Sequence, residues 1–194
     1  HKHRTVRDIV TAVCRHIRGN NRRLPILAIT SRVSLGAQLM TSFKKEKLAM
    51  TFYEDVAARL LPQKRRLIIQ LDSILKIGAW QSDFVLVLDE IKHMIDYLTS
   101  STTLEYKRRE IHCQFLSLVH RAKQIYAMDS DLDTTVLQFF RQENIPMTLI
   151  INSHQSFEQV PVKLTHDQNT LYAAACEPTT PNVWVVSDSK SDVE

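Results

Sequence analysis

The chain reads as an α/β protein, a doubly wound and mainly parallel sheet with helices on both faces. Three observations predict this. Short apolar runs recur along the chain, and the clearest, Phe84-Val85-Leu86-Val87-Leu88, has the uninterrupted apolar character of a strand buried on both faces. Segments with the 3.6-residue period of amphipathic helices alternate with these runs, the rhythm that builds parallel sheets. Run after run also ends in small hydroxyl, amide or acidic residues, as strands do at the functional edge of an open α/β sheet.

In order along the chain, residues 4–18 place Val6, Ile9, Val10, Val13, Cys14 and Ile17 on one helical face, with Gly19-Asn20 as a stop. Leu24–Ile29 reads as a buried strand ending at Thr30-Ser31, followed by a helix over Leu35–Phe43. A short strand is expected at Leu48–Tyr53, and Pro62 breaks the chain. Leu67–Leu71 is a strand ending at Asp72-Ser73, and 84–88 is a strand ending at Asp89-Glu90. Helices are expected over 90–98 and 104–121, then a strand at Lys123–Met128 ending at Asp129-Ser130-Asp131. A helix carrying Leu132, Val136, Leu137 and Phe140 leads to a strand at Pro146–Ile151, ending at Asn152-Ser153. Pro178 and Pro181 bracket a linker at 177–182, and a last strand covers Val183–Val186.

A length of 194 residues suffices for one domain with a sizeable core. No apolar run of about 18 residues is present to span a membrane, and no apolar segment follows the basic start His1-Lys2-His3-Arg4 as a signal peptide requires. The first residue is not Met, which points to a processed or partial chain. Cys14, Cys113 and Cys176 are far apart and odd in number, the usage of reduced thiols in an intracellular protein, and no ligand set at zinc spacing accompanies them. The net charge of +4 is unevenly spread. Basic groups crowd the first quarter (Arg4 to Arg23) and recur at Lys44-Lys45-Lys47, Lys64-Arg65-Arg66 and Lys107-Arg108-Arg109. Such groups suit phosphate-backbone binding, although each taken alone is what a solvated surface carries.

Two carboxylates at the end of a buried strand suit a Mg²⁺-nucleotide site. The first would hold the metal through water, and the second would orient or deprotonate an attacking water. By the strand-end rule Thr30-Ser31, Asp72-Ser73, Asp89-Glu90, Asp129-Ser130, Asn152-Ser153 and Ser187 gather on one edge. Capping of the helices that follow accounts for most of them singly. The histidines show no pairing with carboxylates that demands a role, and Trp80 reads more readily as a packing residue than as a base-stacking one.

The order of these segments is more specific than any one of them. Ile26–Ser34 (ILAITSRVS) looks like helicase motif Ia, Arg65–Ile74 (RRLIIQLDSI) like the motif after it, Val87–Ile91 (VLDEI) like motif II, and Tyr126–Leu132 (YAMDSDL) like motif III. Val183–Lys190 (VWVVSDSK) looks like the strand that opens a second RecA-like lobe. The ordered set, covering about residues 24–190, resembles the herpesvirus-type replication origin-binding protein family of superfamily 2 DNA helicases. The resemblance implies a RecA-like lobe over 1–176, the linker at 177–182 and the start of a second lobe at 183–194. It implies ATP and Mg²⁺ as cofactors, with Asp89 as metal holder and Glu90 as general base. Asp129 and Asp131 would couple the nucleotide site to the DNA-bound state. Thr30, Ser31, Arg32, Gln70 and Ser73 would touch the DNA backbone, whereas Asp72 suits capping better. DNA, single-stranded or origin duplex, and other replication proteins are the implied partners, and the nucleus is the implied location.

The chain departs from the family pattern in three places. It holds no G-x-x-x-x-G-K-[ST] loop, since its glycines are Gly19, Gly36 and Gly78. Most of a second lobe is missing, and Lys92 stands where many relatives carry an acid. The simplest reading is part of a helicase lobe that alone hydrolyses ATP poorly or not at all. A non-hydrolysing RecA-like domain that binds DNA or a protein is the alternative. A third reading, an unrelated doubly wound domain, would be favoured if Asp89 and Asp129 lay on opposite edges of the sheet.

Overall fold

The computed structural model describes residues 7–20, 23–101, 104, 106–129 and 133–149. These form α1 (Arg7–Asn20), β1 (Ile26–Thr30), α2 (Val33–Lys45), β2 (Thr51–Phe52), β3 (Arg66–Gln70), β4 (Val85–Asp89), α3 (Ile91–Ser100), α4 (Arg108–Arg121), β5 (Gln124–Met128) and α5 (Thr134–Gln142). Short 3-10 segments, Tyr53–Asp55, Ala58–Gln63 and Leu71–Ile77, occupy the connections on either side of β3. The strand order is β2-β3-β1-β4-β5, and every pairing is parallel.

The continuous apolar runs are explained by a core on each face of the sheet. Successive strand residues point to opposite faces. Leu27, Ile29, Leu67, Ile69, Leu86 and Leu88 enter one core, while Ile26, Ala28, Ile68, Val85 and Val87 enter the other. The first core is closed by the Leu71–Ile77 segment, α3, α4 and α5, through residues such as Ile74, Met94, Phe115 and Phe140. The second is closed by α1 and α2 through Cys14, Ile17, Leu39 and Phe43. Burial there pushes the Cys14 thiol up to about 12, helped by the nearby Glu46 carboxylate, so Cys14 behaves as a small apolar residue. Trp80 is likewise buried in the first core, a packing residue.

Differences from the sequence-based expectation lie at the periphery. The edge strand expected at 48–53 shortens to Thr51–Phe52, which has β3 as its one neighbour in the sheet. The helix expected from 104 starts at Arg108. The strand expected at Pro146–Ile151 does not form over 146–149, where Met147 and Leu149 are exposed. Asn144, in the left-handed region at φ 55°, ends α5, and no described strand completes a ladder with the residues that follow. The linker at 177–182 and the strand at Val183–Val186 lie outside the described residues. No helix among the described residues is long and apolar enough to cross a membrane.

Gly36 is buried in α2, where the helix packs against Phe52 and Thr30. A Cβ there would lie 2.6 Å from Phe52 Cε2 and 3.4 Å from Thr30 Oγ1. Helix propensity alone favours Gly36→Ala by about 1 kcal/mol, but the clash is expected to reverse the sign and destabilise the fold by about 1–3 kcal/mol. Urea unfolding measures this; an unchanged or raised midpoint would show that the Phe52 ring yields without cost.

Candidate functional site

The parallel register brings together the polar ends of β1, β3, β4 and β5, whereas Asn152-Ser153 and Ser187 lie outside the described residues. Thr30 pairs with Gln70 on one side and Asp89 on the other, and Asp89 pairs with Met128, one residue before Asp129. The helix after β1 packs on one face of the sheet and the helix after β4 on the other. The crevice between Thr30-Ser31-Arg32 and Asp89-Glu90 is therefore a topological switch point, where open α/β sheets hold their ligands. Asp89 and Asp129 share this edge, so the opposite-edge placement that would have favoured an unrelated doubly wound domain is not found.

The edge is electrostatically loaded. Asp89 stands half-buried at the end of a strand whose other four residues are fully buried. Burial, then the neighbouring Glu90 and Asp129 carboxylates, pushes its carboxyl up to about 6. Glu90 is also shifted upward by burial and by Asp129, against the opposing pull of His93 and Arg32. Its backbone adopts the left-handed conformation, φ 61° and ψ 55°, with its N–H donating to the Met128 carbonyl at 2.9 Å. A non-glycine residue held there costs on the order of 1 kcal/mol, and such strain clusters at functional sites. The Glu90 side chain does not cap α3. Asp129 does so from the neighbouring strand end, its Oδ2 accepting from the Lys92 N–H at 2.8 Å. Lys92 Nζ lies 3.3 Å from Asp133 Oδ2, and Asp133 caps α5 through the Thr135 and Val136 amides. The turns after β4 and β5 are thus tied together.

On the other side of the crevice, Thr30 is fully buried and its hydroxyl donates to the Arg32 carbonyl at 3.1 Å, so it shapes the turn and does not face solvent. Arg32 is exposed. Gln70 Nε2 donates to the Ser31 carbonyl at 3.4 Å, and Gln70 Oε1 accepts from the Tyr53 hydroxyl at 3.1 Å. Ser73 Oγ accepts from Lys76 Nζ at 3.2 Å. Two buried polar atoms here, Ser31 Oγ and Asp72 Oδ1, have no hydrogen-bond partner among the described residues, a state that costs free energy unless a ligand or solvent satisfies it. Asp131 lies outside the described residues. The sequence reading missed Tyr53, which no local pattern marks, and His93, whose spacing of three from Glu90 on a helix start was the available signal.

Among the described residues no three His, Cys, Asp or Glu side chains converge into a metal-binding group. Neighbouring carboxylates that raise one another's proton affinity nevertheless fit a hydrated Mg²⁺, which takes one or two protein carboxylates and fills its shell with water and phosphate oxygens.

A parallel, doubly wound sheet with an acid-lined switch point defines a RecA-like α/β domain. The chain belongs to the origin of replication binding protein family, whose model matches residues 10–155. It is 32% identical over 134 residues to the replication origin-binding protein of human herpesvirus 7 (strain JI), covering 68% of this chain and 16% of that protein. It is 30% identical over 131 residues to the protein of the same name from human herpesvirus 6A (strain Uganda-1102), covering 67% and 16%. A putative replication origin-binding protein of Acanthamoeba polyphaga mimivirus is 25% identical over 153 residues, covering 73% and 19%. The matched segment thus spans less than a fifth of each relative.

The upward shift of Asp89 has a definite sign in stability. A carboxyl with a folded-state value near 6, against 3.8 unperturbed, stabilises the fold most below the unperturbed value, and that stability is lost as pH rises toward about 6. The loss is about 3 kcal/mol. Asp89→Asn is therefore expected to raise stability by about 1–3 kcal/mol near pH 7.5, with the difference shrinking toward about pH 4. Denaturant unfolding of both proteins across pH measures it; a destabilised or pH-indifferent variant would contradict the assignment.

Proposed function

We propose that this chain carries the motif II side of an ATP-dependent DNA helicase lobe that works at replication origins and couples ATP hydrolysis to DNA unwinding. The observation that carries the reading is the placement of Asp89, Glu90 and Asp129 on one switch-point edge, facing Ser31 and Arg32. The similarity to proteins named replication origin-binding protein supports DNA at origins as the partner.

In this reading Asp89 would hold Mg²⁺, and the ion would supply neutralisation of phosphate charge. Glu90 orients the hydrolytic water and takes its proton. The raised proton affinity of Glu90 moves it toward the range in which a carboxylate is an effective base. Asp129, whose carboxylate accepts from the start of α3, and Asp131 couple the nucleotide site to the DNA-bound state in this reading. Ser31, Arg32, Gln70 and Ser73 supply hydroxyl, guanidinium and amide groups for sequence-independent contacts to the DNA backbone. Thr30 contributes by setting the turn that presents Arg32. Other replication proteins are further partners in this reading.

In the protein encoded by the full gene, Glu90→Gln is expected to lower DNA-stimulated ATP turnover by about a hundredfold or more while DNA affinity is retained. Steady-state turnover and DNA binding measured on one preparation check this. Full turnover in the variant would remove Glu90 from the chemistry. Turnover absent from the unsubstituted protein as well would favour a lobe that binds without hydrolysing.

A further inference from the structure

The topology gathers charge at the opposite edge of the sheet too. Every described strand is parallel, so each helix that returns to start a new strand ends at the amino edge. Members of three of the four basic groups lie there: Arg18 in the last turn of α1 with Arg23 before β1, the Lys44–Lys47 turn leading into β2, and Lys64-Arg65-Arg66 entering β3. Lysines in the last turn of α2 complement the helix dipole and need no other explanation. Arg23, Arg65 and Arg66 end no helix. They line a cleft of about 620 Å³ together with Leu24 and Thr51, and no acidic residue is among the described residues lining it. Arg65 is held across the cleft by donating Nη2 to the Arg23 carbonyl at 2.6 Å.

We propose that this cleft is a phosphodiester site, taking the backbone of a nucleic acid strand independently of sequence, on the edge opposite Asp89 and Glu90. The inference goes beyond the reading above, which puts DNA on the carboxyl edge. Guanidinium groups match phosphate oxygens in a two-pronged geometry, and Thr51 adds a hydroxyl. A nucleic acid suits the edge better than an acidic peptide. Lys47, in the turn before β2, and Lys64, beside Arg65, add charge at the same edge, and a nucleic acid offers a charge at every nucleotide.

The test is fluorescence anisotropy of the 194-residue chain with mixed-sequence oligonucleotides, single-stranded and duplex, across a salt series. The double substitution R23E/R65E is expected to weaken binding roughly tenfold and to flatten the logarithmic salt slope by about 2. Arg23→Gln, at an exposed side chain, is expected to weaken binding a few-fold with an unchanged circular dichroism melt, which separates charge loss from misfolding. Arg32→Ala on the other edge is expected to add its own loss independently. If both amino-edge variants keep wild-type affinity and salt slope while Arg32→Ala weakens binding, this site is overturned and the carboxyl-edge reading stands. If polyglutamate displaces the oligonucleotide at equal charge concentration, the cleft is an acidic-protein surface and the proposal also fails. Absence of oligonucleotide binding by the unsubstituted chain would overturn it as well.

Discussion

The in-register parallel pairing of β1 with β4 is the constraint on which the rest depends. It sets Thr30 beside Asp89 and, through β5, Met128 beside Asp89. A slip of one residue would turn Leu86 and Leu88 out of one core and Val85 and Val87 out of the other. Both faces of β4 are packed, so that slip is strongly disfavoured and the carboxylates have one place to go. The hydrophobic cores thus fix the position of the polar edge although they contribute nothing to its chemistry.

The edge itself opposes folding. Asp89 is half-buried next to two other carboxylates, Glu90 sits in a strained backbone conformation, and Ser31 and Asp72 each keep a buried polar atom without a partner among the described residues. Asp129 is the member of the acidic group with an evident structural use, since its carboxylate caps α3. A sheet with acids at its carboxyl edge and arginines around a cleft at its amino edge is polarised along the strand direction. Parallel topology makes this possible, because it sends all strand ends one way and all returning helix ends the other.

Much of this was legible in the sequence. Phe84–Leu88 announced a doubly buried strand, and the polar residues after each run announced a shared edge, because both signals are local and periodic. The reach of individual side chains was not legible. Thr30 and Ser31 look equivalent in sequence, yet Thr30 turns inward to the Arg32 carbonyl while Ser31 Oγ is left without a described partner. Lys92 looked like a departure at the nucleotide edge and proves to bridge the starts of α3 and α5 through Asp129 and Asp133. The Lys92 contacts join residues about forty positions apart, and no window of sequence contains them. The strand at 146–149 failed for the opposite reason. Its local propensity was adequate, but among the described residues no neighbour completes a ladder.

Everything proposed for the carboxyl edge requires Asp89 to be a half-buried carboxylate held ready for a cation. The most direct measurement is the titration of its side-chain carboxyl carbon by nuclear magnetic resonance, with and without Mg²⁺. A midpoint near 6 is expected in the absence of the ion, with a fall of about one unit or more when Mg²⁺ is added. A midpoint at the ordinary aspartate value that is indifferent to Mg²⁺ would contradict it.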